Sequence, residues 1–134
     1  MKKYYCNIAI LIAVIVLESL PIGYVLAWAN FEGAPYLDYV AYFSMVAFGT
    51  ANFAPGLCAF FTCVTLVLSA VAVFVKSHKL DMTVIVFSAI ALLFSIFTLI
   101  RNIDYITTVS IVITALLLVN AGLTLIPIKE NKKK

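Results

Sequence analysis

Residues 56–75 contain no charged side chain, and neither do residues 82–100 or 106–128. A fourth apolar run, residues 7–28, is interrupted by a single carboxylate, Glu18. A helix needs about 20 predominantly apolar residues to cross the hydrocarbon of a bilayer, and each run meets that length. Nothing else in the chain limits its fold as strongly. Of the 134 residues, 65% are hydrophobic and 11% charged, against about 25% charged in a soluble domain. So few polar groups cannot cover a water-facing surface. The expected fold is an all-α membrane protein, a four-transmembrane-helix bundle built as one domain over residues 1–134. Its spans are residues 7–28, 56–75, 82–100 and 106–128, with a long, partly structured outer loop over residues 30–54.

The net charge of +3 does not point to nucleic acid, because the lysines sit at the ends of the apolar runs. Lys2 and Lys3 precede the first run, Lys76 and Lys79 separate the second from the third, and Lys129, Lys132, Lys133 and Lys134 follow the fourth. Four crossings put all of them on one side and Glu32, Asp38, Arg101 and Asp104 on the other. The positive-inside rule then predicts a multi-pass protein of the cell membrane with both termini cytoplasmic. A competing reading takes Lys2-Lys3, the run to Leu17 and Ala27-Trp28-Ala29 as a cleaved secretory signal. The long stretch from Glu18 to Trp28, and the fitness of Trp28 as an interfacial anchor, weigh against it.

Glu18 is the sole carboxylate inside a predicted span. A charged side chain at the centre of a span costs about 2.5–3.5 kcal/mol, which the aliphatic run before it offsets at roughly 0.3–0.6 kcal/mol per residue. Pro21 removes the donor that Leu17's carbonyl would use, predicting a kink. An intramembrane acid is by default a site for a proton or cation; the plainer reading is a carboxyl reaching toward water where the kinked helix loosens. Glu18, Thr65, Ser95 and Asn120 form the candidate intramembrane polar site.

The second run carries Cys58, Thr62, Thr65, Ser69 and Ala72 at alternating spacings of four and three. Ser88, Ala91, Ser95 and Thr98 repeat the pattern in the third run, and Ser110, Thr114, Ala121 and Thr124 share a face of the fourth with Leu117. Lipid gives helices no hydrophobic reason to associate, so small residues and hydroxyl hydrogen bonds must hold them together. The three stripes are expected to face one another. In the links, Asp81 and Asp104 are the expected N-caps of the third and fourth helices.

The outer loop is aromatic. Tyr36, Tyr39, Phe43 and Val46 share one face at helical spacing, which predicts an interfacial or re-entrant helix; a short hairpin over residues 36–43 is the second choice. Tyr36, Tyr39, Tyr42 and Phe43 form the candidate partner surface. Phe48-Gly49, Ala51-Asn52-Phe53 and Pro55, preceded by Tyr42-Phe43, resemble an element of small uncharacterised four-span membrane proteins of Gram-positive bacteria. That likeness covers the loop and the start of the second span; it implies a bacterial protein of the same architecture and brings no activity.

Cys6, Cys58 and Cys63 show no CxxC or metal spacing and are expected to be unpaired. One histidine excludes a His-based metal cluster, and no phosphate loop or GxSxG elbow is present. The chain is therefore expected to be no enzyme and to use no cofactor. The function these residues predict is a non-enzymatic structural or accessory protein of the bilayer. Its aromatic loop would contact a second copy or another membrane protein. The alternative is a small proton-coupled exporter using Glu18, because Leu17-Glu18-Ser19 resembles the first-helix glutamate of small multidrug transporters. The long first loop, the single Trp28 and the nearby Pro21 depart from that family. Claudin-like four-span proteins share the architecture, but no paired loop cysteines follow Trp28.

Overall fold

The computed structural model describes residues 2–28, 33–34, 36–44, 52–75 and 77–126. The elements are α1 (Lys2–Glu18), β1 (Tyr24–Trp28), β2 (Tyr36–Val40), α2 (Ala54–Val75), α3 (His78–Arg101), a 3₁₀ turn (Ile103–Tyr105) and α4 (Thr108–Leu125). Each helix packs on the next, and α1 closes the ring against α4. Three helices, α2, α3 and α4, are long and apolar enough to cross a membrane.

The chain is not all-α. The first helix, expected over residues 7–28, stops at Glu18, and Tyr24–Trp28 forms a strand instead. Pro21 has no N–H to continue the ladder. The Leu17 carbonyl, freed by Pro21, takes the N–H of Leu20 at 3.2 Å and tightens the last turn. The aromatic and β-branched residues that follow suit a pleated strand. At 1.5 Å per residue the 17-residue helix is about 26 Å long.

The hairpin is antiparallel, with Tyr24 opposite Val40, Val25 opposite Tyr39 and Trp28 opposite Tyr36. Tyr36–Val40 is therefore a strand where an interfacial helix was the first expectation, and its partner strand comes from the stretch expected to span. The rest of that helical expectation, residues 45–51, lies outside the described residues, as does the Phe48-Gly49 part of the resemblance. Tyr24, Leu26 and Val40 turn inward to a core with Leu11 and Val14 of α1 and Ile113 and Leu117 of α4.

Between the helices the interior is small and polar. Cys58, Thr62, Thr65, Ser69 and Ala72 of α2 are fully buried, as are Ser88, Ala91 and Ser95 of α3. On α4, Ser110, Leu117 and Thr124 are buried, with Thr114 and Ala121 half-buried. The exterior is the reverse: Phe74 is 85% exposed and Val67 61%. Apolar surface in water costs about 25 cal/mol per Å², a cost that lipid removes.

The caps differ from those expected. Ser77 occupies the N-cap position of α3, which starts a turn earlier, and Asp81 accepts the Tyr4 hydroxyl at 2.8 Å from within the first turn. Thr107, not Asp104, caps α4: its hydroxyl oxygen accepts the Ser110 N–H at 3.1 Å. The same hydroxyl donates to the Gly23 carbonyl at 2.7 Å, tying α4 to the entry of the hairpin.

Candidate functional site

Glu18 is the last residue of α1 and is fully buried. Its Oε1 accepts from the Thr62 hydroxyl at 3.1 Å and the Cys58 thiol at 3.5 Å. Those two side chains are one helical turn apart on the inward face of α2, which is why both reach the same oxygen. Each also has a main-chain acceptor: Thr62 lies 2.8 Å from the Cys58 carbonyl, and the Cys58 sulfur 3.4 Å from that of Ala91. A hydroxyl has one proton, so Thr62 divides it between the carboxyl and its own helix. Oε2 of Glu18 has no partner.

Tyr42 is part of the site. It is fully buried, its ring meets that of Tyr24 edge-on at 5.8 Å, and its N–H donates to the Glu18 carbonyl at 3.0 Å. The Tyr42 hydroxyl has no hydrogen-bond partner, although Ser95 stands beside it and beside Cys58. Burial pushes the Tyr42 phenol well above its ordinary value, and Cys58 and Glu18 add to the shift. Tyr24 is pushed up to about 12, first by burial and then by the nearby Asp38 carboxylate.

The four residues of the candidate polar site are all buried, and of the other three only Ser95, beside Cys58 and Tyr42, adjoins the partners of Glu18. Ser95 shares a 2.6 Å bond with Thr114. Thr65 donates to the Phe61 carbonyl of its own helix at 2.7 Å. Asn120 donates to Ser88 at 2.9 Å. Glu18 is joined instead by Cys58, Thr62 and Tyr42. The first two lay on the recognised stripe of α2; their register against Glu18 had no signal in sequence.

Of the candidate partner surface, Tyr36, Tyr39 and Phe43 are 63%, 57% and 43% exposed. Tyr42 does not belong with them. The turn after β2 swings its ring inward onto Tyr24, so it is core. All three cysteines are free, and no group of three His, Cys, Asp or Glu side chains with metal-holding geometry occurs among the described residues.

Two grooves flank the hairpin. An apolar one of about 350 Å³ runs between Leu37 and Tyr39 of the sheet and Ile106 and Val109 at the start of α4. A polar one of about 230 Å³ is bounded by β1 on one side and Asn52, Arg101, Asn102 and Asp104 on the other. Val25 and Tyr105 line both. Comparison with protein-family models, curated proteins and solved structures finds no match for the chain.

Proposed function

We propose that this is a non-enzymatic, four-span protein of the cell membrane, with both termini cytoplasmic, whose hairpin is a contact surface on the outer side. The reading is carried by one contrast. Tyr24, Val25, Leu26, Val40 and Tyr42 anchor the hairpin in the core, while Tyr36, Tyr39 and Phe43 stay exposed. Exposed aromatics on an immobilised scaffold lose little entropy on binding. The arrangement of charge supports the orientation: Lys79 lies in the first turn of α3, while Arg101 ends that helix, Asp104 follows it and Asp38 is on the hairpin. The expected partner is a second copy of this chain or another membrane protein, and the weak bacterial resemblance fits this reading.

The test replaces Tyr36 and Phe43 by Ser together and follows oligomeric state, in-membrane crosslinking and cellular phenotype. Loss of a defined crosslinked species supports a contact role. No change in any of the three refutes it.

A second reading, a proton-coupled exporter, rests on Glu18 having one unpartnered oxygen in the interior. It requires proton-driven transport in liposomes that disappears in Glu18→Gln. The full burial of Glu18 under Tyr42 makes it the weaker of the two.

A further inference from the structure

We propose that the base of the hairpin is sunk into the outer leaflet, where phospholipid acyl chains cover the exposed side chains of Leu20, Ile22 and Phe43. Helix α1 has 17 residues and α3 has 24. Their starts lie at one level, because the Tyr4 hydroxyl donates to Asp81 at 2.8 Å. At 1.5 Å per residue α3 rises about 30 Å from Asp81 to Arg101, while α1 rises about 21 Å from Tyr4 to Glu18. Glu18 therefore stops about 9 Å short of Arg101.

Contacts in the interior give the same offset. The Cys58 sulfur lies 3.5 Å from Glu18 Oε1 and 3.4 Å from the Ala91 carbonyl, and Ser95 stands beside it. The Glu18 carboxyl is thus level with the Ala91–Ser95 turn of α3, and Arg101 lies about 9–15 Å beyond that turn. Tyr42 shares this depth, since its N–H donates to the Glu18 carbonyl at 3.0 Å and Ser95 adjoins its hydroxyl. Gly23 stands higher. Its carbonyl accepts from Thr107, which lies about 10 Å along α4 from Thr114, the partner of Ser95. The chain climbs from Glu18 through Leu20 and Ile22 to Gly23, and returns to the depth of Glu18 at Tyr42 and Phe43.

Residues 82–100 of α3 carry no charge and are bounded by Asp81 and Arg101. They rise about 28 Å, close to the ~30 Å thickness of bilayer hydrocarbon. The hydrocarbon thus ends near Arg101, which puts Phe43 about 10 Å inside it. The chain suits that depth. Leu20, Ile22 and Phe43 are exposed and apolar, and the only charged residue in 18–23 and 41–44 is the buried Glu18. Hydrocarbon offers no water to main-chain donors. The N–H groups of Ser19, Leu20, Tyr42 and Ser44 are all taken by carbonyls, and Pro21 has none. Val40 packs against Gly23, so Tyr39 and Asp38 beyond it reach the level of Arg101. Tyrosine is favoured at that boundary, and the first charge of the hairpin appears there.

This seating rests on the membrane reading but not on the partner role of the hairpin. The test is tryptophan quenching in the full chain, reconstituted at high lipid-to-protein ratio, with Trp28→Phe as background and one tryptophan added at a time. Brominated phosphatidylcholine reports contact with acyl chains, and acrylamide reports contact with water. Leu93→Trp, exposed on α3, is the lipid-facing control, and Tyr36→Trp, on the hairpin, is the water-facing one. Brominated lipid should quench Leu20→Trp and Phe43→Trp as strongly as Leu93→Trp and several-fold more than Tyr36→Trp. Acrylamide should give the reverse order. All four positions are exposed, so the variants should fold, and unchanged melting verifies it. Acrylamide quenching of Leu20→Trp and Phe43→Trp equal to that of Tyr36→Trp, with none from brominated lipid, overturns the proposal. Protection of both from both quenchers also overturns it, by showing that protein covers the flank. A Leu93→Trp that brominated lipid leaves unquenched would refute the membrane reading itself, a failure distinct from a hairpin raised into water.

Discussion

The N–H of Tyr42 donates to the carbonyl of Glu18 at 3.0 Å, making the end of α1 and the exit of the hairpin a single joint. The last four carbonyls of a helix have no partner within it. Here all four are satisfied: those of Ile15 and Val16 by Ser19, that of Leu17 by Leu20, and that of Glu18 by Tyr42. The last of these comes from a residue more than twenty positions away. The helix can therefore end inside the protein without orphaned groups only when the hairpin is in place. The Glu18 carboxyl and the Tyr42 ring are both fully buried at this joint.

Gly23 is the tightest point of that joint. A Cβ there would come within 2.7 Å of the Tyr42 ring and 3.2 Å of the Val40 carbonyl. Overpacking of this kind costs about 1–3 kcal/mol, so Gly23→Ala is expected to lower the melting temperature of the detergent-solubilised protein clearly. Gly122 on α4 is the control, since nothing lies within 4 Å of a Cβ built on it. Gly122→Ala should leave stability unchanged or raise it by up to about 1 kcal/mol, the propensity difference in a helix.

Glu18 itself should prove dispensable for stability. Its two donors, Thr62 and Cys58, each have a carbonyl to return to, so Glu18→Leu orphans neither of them. It also removes the unpartnered Oε2 from the interior. Replacing such a polar group by an apolar one of similar shape is often neutral or stabilising. Thermal unfolding of Glu18→Leu is expected within about 1 kcal/mol of the parent. A loss of several kcal/mol would mean that the carboxyl organises the joint.

The hairpin should show its burial on alkaline titration. The Tyr24 phenol is raised from 10.0 to about 12 in the folded protein. Its stabilising contribution is complete below the unfolded value and is lost as pH climbs through the folded one. The tyrosinate absorbance difference between the parent and Tyr24→Phe should thus stay near zero at pH 10 and grow only toward pH 12. A difference fully developed by pH 10.5 would place Tyr24 in water.

How much of this was legible in the sequence depends on the element. The small-residue stripes of α2, α3 and α4 were, because a period near 3.6 survives whatever the helices pack against. The end of α1 was not. Residues 22–28 have the hydropathy of a span, and periodicity does not separate a short apolar strand from a helix. Pro21 gave the break, but whether the chain kinked or turned back was decided by Tyr42 and Val40, which lie far along the chain. The same holds at the site. Glu18 stood out as an intramembrane acid, while Cys58 and Thr62 became its neighbours only through the register of α1 on α2. Asn120, at a plausible depth on paper, went to Ser88 because α4 turns it toward α3.

Thr107 joins the hairpin to α4, and its substitution tests whether the two depend on each other. Its hydroxyl caps α4 through Ser110 and donates to the Gly23 carbonyl. Loss of an N-cap costs about 0.5–2 kcal/mol, and a buried carbonyl left without its donor adds about 1–3 kcal/mol. Thr107→Val keeps the shape and removes both bonds, and is expected to destabilise by more than either term alone. Thr107→Ser keeps both bonds and should stay close to the parent. Hydrogen exchange separates the contributions: a pure capping loss speeds exchange only in the first turn of α4. Loss of the tie to Gly23 also speeds it at Tyr42, whose N–H is held by the joint that Gly23 packs against. Faster exchange at both places, seen in Thr107→Val and absent in Thr107→Ser, is the expected outcome.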